Sequence, residues 1–493
     1  GQNYLAKVEE GLKKRGLSDK ETLINPDTGK PYEQQVLVGN QYILKQRHQV
    51  VKKQSARSGG YGMPYDINHA PAGGSPHGGQ SLGELGMYAL LAHGARENLH
   101  EMFAYKSTKN DELWDALREG TPIPPPKVPF AYEKFLGYLN AMRVNVKKEG
   151  NSMQLVPFTE SQVTGKYGIS SGEIAEPGLA VRGKDLRPEK GGLFDEKVTG
   201  GLEGTKWSHF SLSEAMPNPL FEDAIRKLTG LSEAKYRAVI AGKEKHNGKT
   251  GGEAIEEILK GIDVKKELKS VNKQIRKVRG DRRSALHKRL RILKALDEQD
   301  LDPTVYMMRS VPILPPVFRP IVVKDDGNLS SNDLNGLYKD VGAVNDLLRK
   351  NKRAGIPSEH LSSMRMELYD GLKALAGTGG SLTRSGEYKG IMDIISGKTR
   401  KSLTGQAKGS AKTGYFQQKL LKRRQDFSGR STIVPEPRMG LDELGLPEGM
   451  AWTMYQPFIE RELIRAGYKP LDAFDAVKRK EPAAERALQK VVK

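Results

Sequence analysis

Residues 56–90 of the chain read ARSGGYGMPYDINHAPAGGSPHGGQSLGELGMYAL. Within them, residues 59–86 hold nine glycines and three prolines, a composition that is typical of a loop. The same segment carries two tyrosines and two histidines, and it runs directly into an apolar helical pattern at residues 87–103. Glycine allows a backbone to approach another group closely, so we predict that the backbone of this loop is in close contact with another group.

The helical pattern that follows the loop is apolar on one face. Helical spacing places six side chains together there, and we expect them to form ordinary core: Met87, Leu90, Leu91, Ala95, Leu99 and Met102.

Composition and charge limit the classes of protein that the chain can belong to. It has 493 residues, enough for two to four domains, and 80 Lys and Arg against 60 Asp and Glu give a net charge of +20. That surplus favours a polyanionic partner, nucleic acid first and an anionic membrane second. The absence of cysteine excludes disulfides, thiol nucleophiles, Cys-ligated zinc and iron–sulfur clusters. No run of about 18 apolar residues predicts a membrane span.

Two segments concentrate the positive charge. Residues 264–294 hold 13 Lys and Arg against two acids, and Gly280-Asp281 interrupts them, which predicts a basic helical hairpin. Its charge fits a solvated face as well as a nucleic-acid or partner contact. Residues 397–430 hold ten Lys and Arg and a single acid, Asp426, among small and hydroxyl residues that suit phosphate contacts.

A third segment, YMMRSVPILPPVFRPIVV at residues 306–323, contains four prolines. Prolines at that density exclude a helix or a central strand, so we predict rigid extended chain. A polar loop follows and ends at the start of a helix.

Catalytic motifs are missing from the sequence. It contains no Walker A loop, no Gly-x-Ser-x-Gly, no His-Glu-x-x-His and no Asp-x-Asp-x-Asp cluster of the kind that two-metal phosphoryl transfer requires. His69 and His77 are poor candidates for a metal site. The residues alone therefore indicate a large basic protein that engages nucleic acid and has no self-contained active site.

Two blocks resemble the subunits of multisubunit DNA-dependent RNA polymerase. Ala56-Arg57-Ser58 and Gly78-Gly79-Gln80, within residues 25–107, resemble the C-terminal region of the β subunit. Residues 306–322, 329–338 and 414–434 resemble the N-terminal half of β′ in the family's order, and residues 183–201 and 445–459 are similar to the same subunit. The resemblance covers almost the whole chain, with a β tail joined to a β′ head near residues 150–165.

The resemblance implies an α+β fold with an irregular clamp and switch architecture, a helical hairpin and long ordered loops. We expect a β-like region at residues 1–155 and a β′ clamp-like region at 156–310 that includes the hairpin at 251–300. The lid, rudder and template-binding hinge are expected at 311–493.

The resemblance also assigns site residues. A lid at residues 325–332 would include Asp325, Asp326, Gly327 and Asn328, and a rudder at 377–388 would include Thr383 and Arg384. A hinge at 419–430 would touch template phosphates and face the loop at 58–80. The expected DNA- or RNA-binding residues are Lys419, Lys422, Arg423, Arg424, Arg430, Arg57 and Gln80. The basic hairpin would belong to the clamp, where sigma-like factors commonly dock.

Several departures from the family pattern bear on function. Residues 201–209 stand where cellular enzymes carry a four-Cys zinc module, residues 399–413 are an insertion, and Lys422 replaces a usual glycine. Tyr415 and Gln417 stand where the family has arginines. The family's catalytic aspartate loop would come after Lys493. We therefore expect no catalytic residue, metal or zinc on this chain, with Mg²⁺ held by a partner chain.

The predicted function is that of one subunit of a split polymerase. Its partners would be the subunits that carry the aspartate triad and the β core, DNA template, nascent RNA and a sigma-like factor, and no membrane. Fusion, splitting and loss of zinc suggest a phage-encoded enzyme, located in the bacterial cytoplasm or in the virion. The alternatives are a non-catalytic nucleic-acid-binding or polymerase-mimicking protein and a structural or injected virion protein.

Overall fold

The computed structural model describes residues 4–44, 50–150, 152–175, 181–182, 186–323, 328–380, 388–400 and 407–492. The chain divides into two compact units, Gly1–Gln54 with Arg430–Met439, and Ser55–Gly429 with Gly440–Lys493. Runs of helices, most of them short, are interspersed with mostly short strands and with long loops. This confirms the predicted irregular α+β fold. No helix in the described ranges is long and apolar enough to cross a membrane.

The first unit is small and open. Its elements are helix α1 (Tyr4–Lys14), the antiparallel strands β1 (Lys20–Glu21) and β2 (Val36–Leu37), and helix α2 (Val50–Lys53). None of the side chains described for this unit is buried. The unit therefore has no hydrophobic core of its own.

The second unit begins with the glycine-rich loop and the helices that follow it. These elements are β3 (Ser55–Arg57), β4 (Gln80–Leu82), α3 (Glu84–His93), α4 (Arg96–His100), a π-helical turn (Glu101–Tyr105), α5 (Asp111–Glu119) and α6 (Phe130–Ala141). The loop between β3 and β4 is held by local turns: the Asp66 carboxylate accepts hydrogen bonds from the backbone N–H groups of Asn68 and Ala70 at 2.8 and 3.0 Å.

The core predicted from the apolar helix was wrong. None of its six apolar side chains is buried, and on α3 Leu85, Tyr88 and Leu91 are 80%, 52% and 53% exposed. The prediction of a helix is correct, but no described part of the chain covers that face fully. Helical periodicity identifies an apolar face without showing which molecule buries it.

The main core of the second unit is built around a three-stranded sheet. Before it lie the hairpin β5 (Val144–Glu149) and β6 (Ser152–Pro157) and the short helix α7 (Glu160–Thr164). The sheet has the order β11-β10-β7, formed by β7 (Ser170–Glu173), β10 (Trp207–Pro217) and β11 (Met307–Ile313), with the pair β8 (Val181–Arg182) and β9 (Arg187–Pro188) between them in the chain. Pro312 lies in the edge strand β11, opposite His209, where a missing N–H is tolerated.

Five helices that follow β10 in the chain contribute buried apolar side chains to this core. They are α8 (Glu222–Thr229), α9 (Glu233–Ile240), α10 (Gly252–Lys260), α11 (Val264–Ile275) and α12 (Asp281–Glu298). Helices α11 and α12 form the predicted basic hairpin, which turns at Gly280 with φ of 66°. Val271 of α11 and Leu293 of α12 are buried, while most of the cations are exposed.

The remaining elements carry the predicted lid, rudder and hinge regions. They are β12 (Ile321–Val323), β13 (Leu329–Ser331), α13 (Asp333–Arg353), α14 (Ser362–Ala376), α15 (Ile391–Ser396), β14 (Lys398–Arg400), β15 (Ala407–Gly409), a π-helical turn (Phe416–Leu421), β16 (Arg423–Gln425) and β17 (Ser428–Arg430). The last helices are α16 (Glu448–Met454), α17 (Gln456–Arg465), α18 (Pro470–Lys478) and α19 (Pro482–Val492), which share a small core around Ile459 and Ala484.

Candidate nucleic-acid interface

The glycine-rich loop and the hinge, far apart in sequence, are joined by a short β-ladder. Strand β16 pairs antiparallel with β4, with Arg424 opposite Ser81 and Gln425 opposite Gln80. At Gly79 a Cβ would lie 2.8 Å from the carbonyl oxygen of Gln425, so a side chain there would collide with the hinge backbone. Glycine is required at this position because two backbones touch.

A buried ion pair holds the same two segments together. The Arg57 Nε atom lies 2.6 Å from Asp426 Oδ1, and neither side chain is exposed. Arg57 also donates through Nη1 to the carbonyl oxygens of Pro64 and His77, at 2.9 and 3.1 Å. The Tyr65 hydroxyl donates to the second carboxylate oxygen of Asp426 at 2.9 Å. Asp426 of the hinge therefore binds residues from both the start and the middle of the loop.

The surroundings of Asp426 determine its ionisation. Burial raises the pKa of this carboxyl to about 6, although Arg57 and Tyr65 favour the charged form. Burial also raises the pKa of the Tyr65 hydroxyl well above its ordinary value, so it remains a donor. Backbone hydrogen bonds fix the turn: the N–H of Asp426 donates to Lys106 O, and that of Phe427, at φ of 50°, donates to Ser58 O.

A cavity of about 190 Å³ with a basic wall lies beside this contact between the loop and the hinge. Its cationic lining comes from the hinge and its acidic lining from the loop: Asp66, Ala70, Ser81, Ala131, Gln418, Lys419, Lys422, Arg423 and Arg424. Arg424 is exposed and donates to the carbonyl oxygen of Gly79 at 2.9 Å. Lys422 is half-buried. The cavity has the charge and the donors that a phosphate group requires.

An ion pair lies at the cavity's edge. Lys419 Nζ lies 2.6 Å from Asp66 Oδ2. Burial opposes ionisation of Asp66, but Lys419 and the backbone donors keep the pKa of its carboxyl below the ordinary value. Nearby, Lys134 of α6 is buried and donates to Asn68 Oδ1 at 3.3 Å. Burial lowers the pKa of Lys134 to about 8.

Five of the predicted binding residues lie at the cavity or in the contact between loop and hinge beside it, and they differ in exposure. Lys422 and Arg424 line the cavity with side chains that reach solvent, and Lys419 lines it while paired with Asp66. Arg57 and Arg423 are buried, and burial lowers the pKa of Arg423, which stacks over Phe103, to about 10.

Two further predicted residues lie apart from that cavity wall. Gln80 donates to Ser55 Oγ at 2.9 Å, beside the contact between the loop and the hinge. Arg430 is exposed and belongs to the first unit. For the lid, Asp325, Asp326 and Gly327 lie outside the described residues, as do Thr383 and Arg384 of the rudder. Asn328 is described and exposed.

The predicted lid, residues 325–332, contains β13 and ends at Asn332, and its described residues are anchored. Strands β12 and β13 pair antiparallel, with Val322 opposite Ser330. Below them, the fully buried Arg319 donates to Asn335 Oδ1 at 2.9 Å, and Asn335 Nδ2 donates back to the Arg319 carbonyl at 3.0 Å. Asn332 caps α13 by accepting from the Leu334 N–H. This hairpin is therefore fixed at both ends.

Residues that sequence reasoning missed hold the hinge in place. Tyr415 donates its hydroxyl hydrogen to Ala131 O at 3.1 Å and packs edge-on against Tyr138. Lys134 shares the buried face of α6 with Ala131, Tyr138 and Ala141, at helical spacing, and that pattern could have marked it. Nothing in the sequence pairs Asp66 with Lys419.

The described ranges were searched for side chains that could hold a metal ion. No group of three or more His, Asp or Glu side chains there is arranged to hold a metal ion.

Comparison with known proteins finds family matches in two segments of the chain. Residues 2–75 match the family model for RNA polymerase Rpb2, domain 6, and residues 223–375 match that for RNA polymerase Rpb1, domain 1. The chain is 31% identical over 270 residues to the DNA-directed RNA polymerase subunit beta′ of Acholeplasma laidlawii, covering 53% of this chain and 19% of that protein. It is 32% identical over 269 residues to the subunit beta′ of Geobacillus kaustophilus, covering 53% and 21%.

The chain spans about a fifth of the length of these curated relatives. The order of the two matches, Rpb2-like before Rpb1-like, is consistent with a β–β′ junction. The chain is thus similar to subunits of multisubunit RNA polymerases in two separate segments.

Proposed function

We propose that this chain is a subunit of a multisubunit DNA-directed RNA polymerase, in which it forms the clamp base, lid and rudder and contacts the template strand and RNA. The catalytic aspartates would be supplied from outside these 493 residues, which contain no Asp-x-Asp-x-Asp cluster. The observation that carries the proposal is the buried Arg57–Asp426 pair, which joins the β-like loop to the β′-like hinge beside a basic cavity.

The positions of the cations at the cavity support different roles for them. Lys422 and Arg424 would contact phosphates, because they line the cavity and reach solvent. Lys419 would join them when its bond to Asp66 is exchanged for a phosphate. Arg57 and Arg423 would act by positioning the hinge, since burial keeps them from a polyanion in this conformation.

The anchored hairpin β12–β13 supports the lid assignment. The Arg319–Asn335 clamp and the Asn332 cap fix both ends of the segment that contains residues 325–328. A loop held in this way resists being pushed aside, so it could act as a wedge between RNA and template. The rudder at residues 377–388 remains a proposal that rests on the sequence resemblance.

Burial supports large partner interfaces. Between Tyr4 and Glu112, Ala56 and Pro71 are the buried apolar side chains among the residues described, whereas the later part of the chain has an extensive core. A region of that length without a core is not stable by its own packing. A partner chain that carries the rest of an Rpb2-related subunit would cover the apolar side chains of α3 and of the first unit.

Other parts of the proposal concern cofactors, factors and origin. Mg²⁺ would bind the partner's aspartates, and no zinc is expected on this chain. The exposed cations of the α11–α12 hairpin suit a polyanion or a sigma-like factor. The joining of β and β′ segments suggests a phage-encoded enzyme.

The proposal is tested by separating binding from catalysis. The purified chain should bind a labelled RNA–DNA hybrid scaffold with a steep salt dependence and should make no RNA from four nucleotides and Mg²⁺. Failure to bind at low salt, or template-dependent synthesis by the chain alone, would each overturn it.

A further inference from the structure

The ion pair between Asp66 and Lys419 brings a carboxylate to the edge of the basic cavity. Among the described residues that line the cavity, Asp66 is the one acid against four cations, Lys419, Lys422, Arg423 and Arg424. Its Oδ2 atom lies 2.6 Å from Lys419 Nζ, so the contact is a charge-assisted hydrogen bond from an ammonium group to an anionic oxygen. Lys419 would bind a phosphate oxygen in the same way. The carboxylate therefore occupies a position that suits a phosphate.

The two carboxylate oxygens of Asp66 have different partners. Oδ1 accepts hydrogen bonds from the backbone N–H groups of Asn68 and Ala70, whereas Oδ2 binds Lys419. Backbone bonds also close the turn, because the Asp66 N–H donates to Ala70 O at 2.8 Å and the His69 N–H donates to Asp66 O at 2.9 Å. The shape of the turn therefore does not depend on the ion pair.

The turn at residues 66–70 is fixed, whereas its cationic partner has a flexible side chain. The His69 ring stacks on Phe130 of α6, with 4.3 Å between the ring centroids. The carbonyl oxygen of His69 accepts a hydrogen bond from the Lys109 N–H at 2.7 Å. The side chain of Lys419 is 33% exposed and has a long aliphatic stem. Lys419 is therefore the member of the pair that is free to turn towards a ligand.

A phosphate that enters the cavity meets a competing anion. Burial opposes ionisation of Asp66, but Lys419 and the backbone donors lower the pKa of its carboxyl below the ordinary value, so it is charged at neutral pH. The charged carboxylate holds Lys419 and repels a second anion nearby. Both effects weaken the binding of a polyanion at this position.

We propose that Asp66 is an internal competitor of nucleic acid, which occupies Lys419 until a phosphate of the ligand displaces it. The ligand is the phosphodiester backbone of DNA or RNA. Asp66 thereby sets the affinity of the hinge for that backbone, and the glycine-rich loop that carries it controls how many cations the hinge offers. The inference rests on the proposed function, because it assumes that the cavity faces nucleic acid.

The test uses Asp66→Asn in the full chain, alone and combined with Lys419→Gln. Asparagine keeps the Oδ1 acceptor for the two backbone N–H groups and removes the charge that binds Lys419. The control is Glu133→Gln, which removes one exposed acidic charge from α6 close to His69 of the same turn. Fluorescence anisotropy measures binding to labelled duplex DNA and to labelled single-stranded RNA of equal length.

Asp66→Asn should bind at least one probe more tightly, by about fivefold at about 0.15 M salt, which is the effect of one additional phosphate contact. The probe that shows the gain identifies the nucleic acid that occupies this position. In the Lys419→Gln background, Asp66→Asn should change the affinity no more than Glu133→Gln does. An affinity equal to that of the control on both probes, or a gain that persists in full without Lys419, would overturn the inference.

A second variant decides the question if asparagine distorts the turn. Asp66→Ser keeps an uncharged oxygen that can accept the same backbone hydrogen bonds, and it should show the same gain in affinity. If the wild-type chain binds neither probe at low salt, the proposed function fails. If it binds and neither Asp66 variant exceeds the control, only the competition is wrong.

Discussion

Replacing Asp426 by Asn should destabilise the chain strongly. Asp426 is the only acid within ion-pair distance of the buried Arg57 among the described residues, and neither side chain reaches solvent. The substitution leaves the guanidinium buried with carbonyl acceptors but no counter-charge. Removing one partner of such a pair costs about 3–5 kcal/mol. We expect a loss of that order in the free energy of unfolding.

The assay combines urea unfolding with hydrogen exchange. The backbone N–H groups of Asp426 and Phe427 are bonded to Lys106 and Ser58, so the variant should also exchange faster in hinge peptides. Glu112→Gln is the matched control, because Glu112 and Lys127 form a pair whose side chains are 65% and 57% exposed. That control should change stability by less than about 1 kcal/mol. A cost below about 1 kcal/mol for Asp426→Asn, with unaltered exchange, would refute the reasoning.

The cavity and the β12–β13 hairpin each make a further prediction. The double variant Lys422→Ala with Arg424→Ala should lower the salt slope of DNA binding by up to about 2 and leave the stability unchanged. Arg423→Ala should chiefly lower the unfolding midpoint, and the reverse pattern would show that Arg423 contacts phosphate and that Lys422 and Arg424 are structural. Deletion of residues 325–332 in the assembled polymerase should leave short-product synthesis intact and accumulate RNase H-sensitive hybrid, and fully displaced transcripts would argue against the lid.

The sequence predicted those features of the fold that depend on local pattern. The basic hairpin with its turn at Gly280 and the helix that follows the glycine-rich loop are expected from periodicity and composition, and the structure has them. The proline-rich segment is an edge strand at Pro312, which agrees with the rule that proline is excluded from central strands.

The sequence could not predict contacts between distant residues or burial against partner chains. No local pattern could pair Arg57 with Asp426 or Lys419 with Asp66, because each pair is separated by more than 350 residues and is formed by the folded chain. The helix α3 shows the second limit. Its apolar face was predicted to be core, yet Leu91 is 53% exposed, since a periodic pattern cannot tell burial within one chain from burial against another.

The proposed function requires catalytic aspartates from outside these 493 residues. The most direct measurement is purification of the tagged chain from cells that make it, followed by identification of stoichiometric partners by mass spectrometry and a transcription assay on the eluate. We predict a partner that contains an Asp-x-Asp-x-Asp loop, and template-dependent RNA synthesis that falls when Asp426→Asn replaces the wild-type chain. An eluate in which no stoichiometric partner carries that loop, or whose RNA synthesis persists after this chain is removed, would contradict the account.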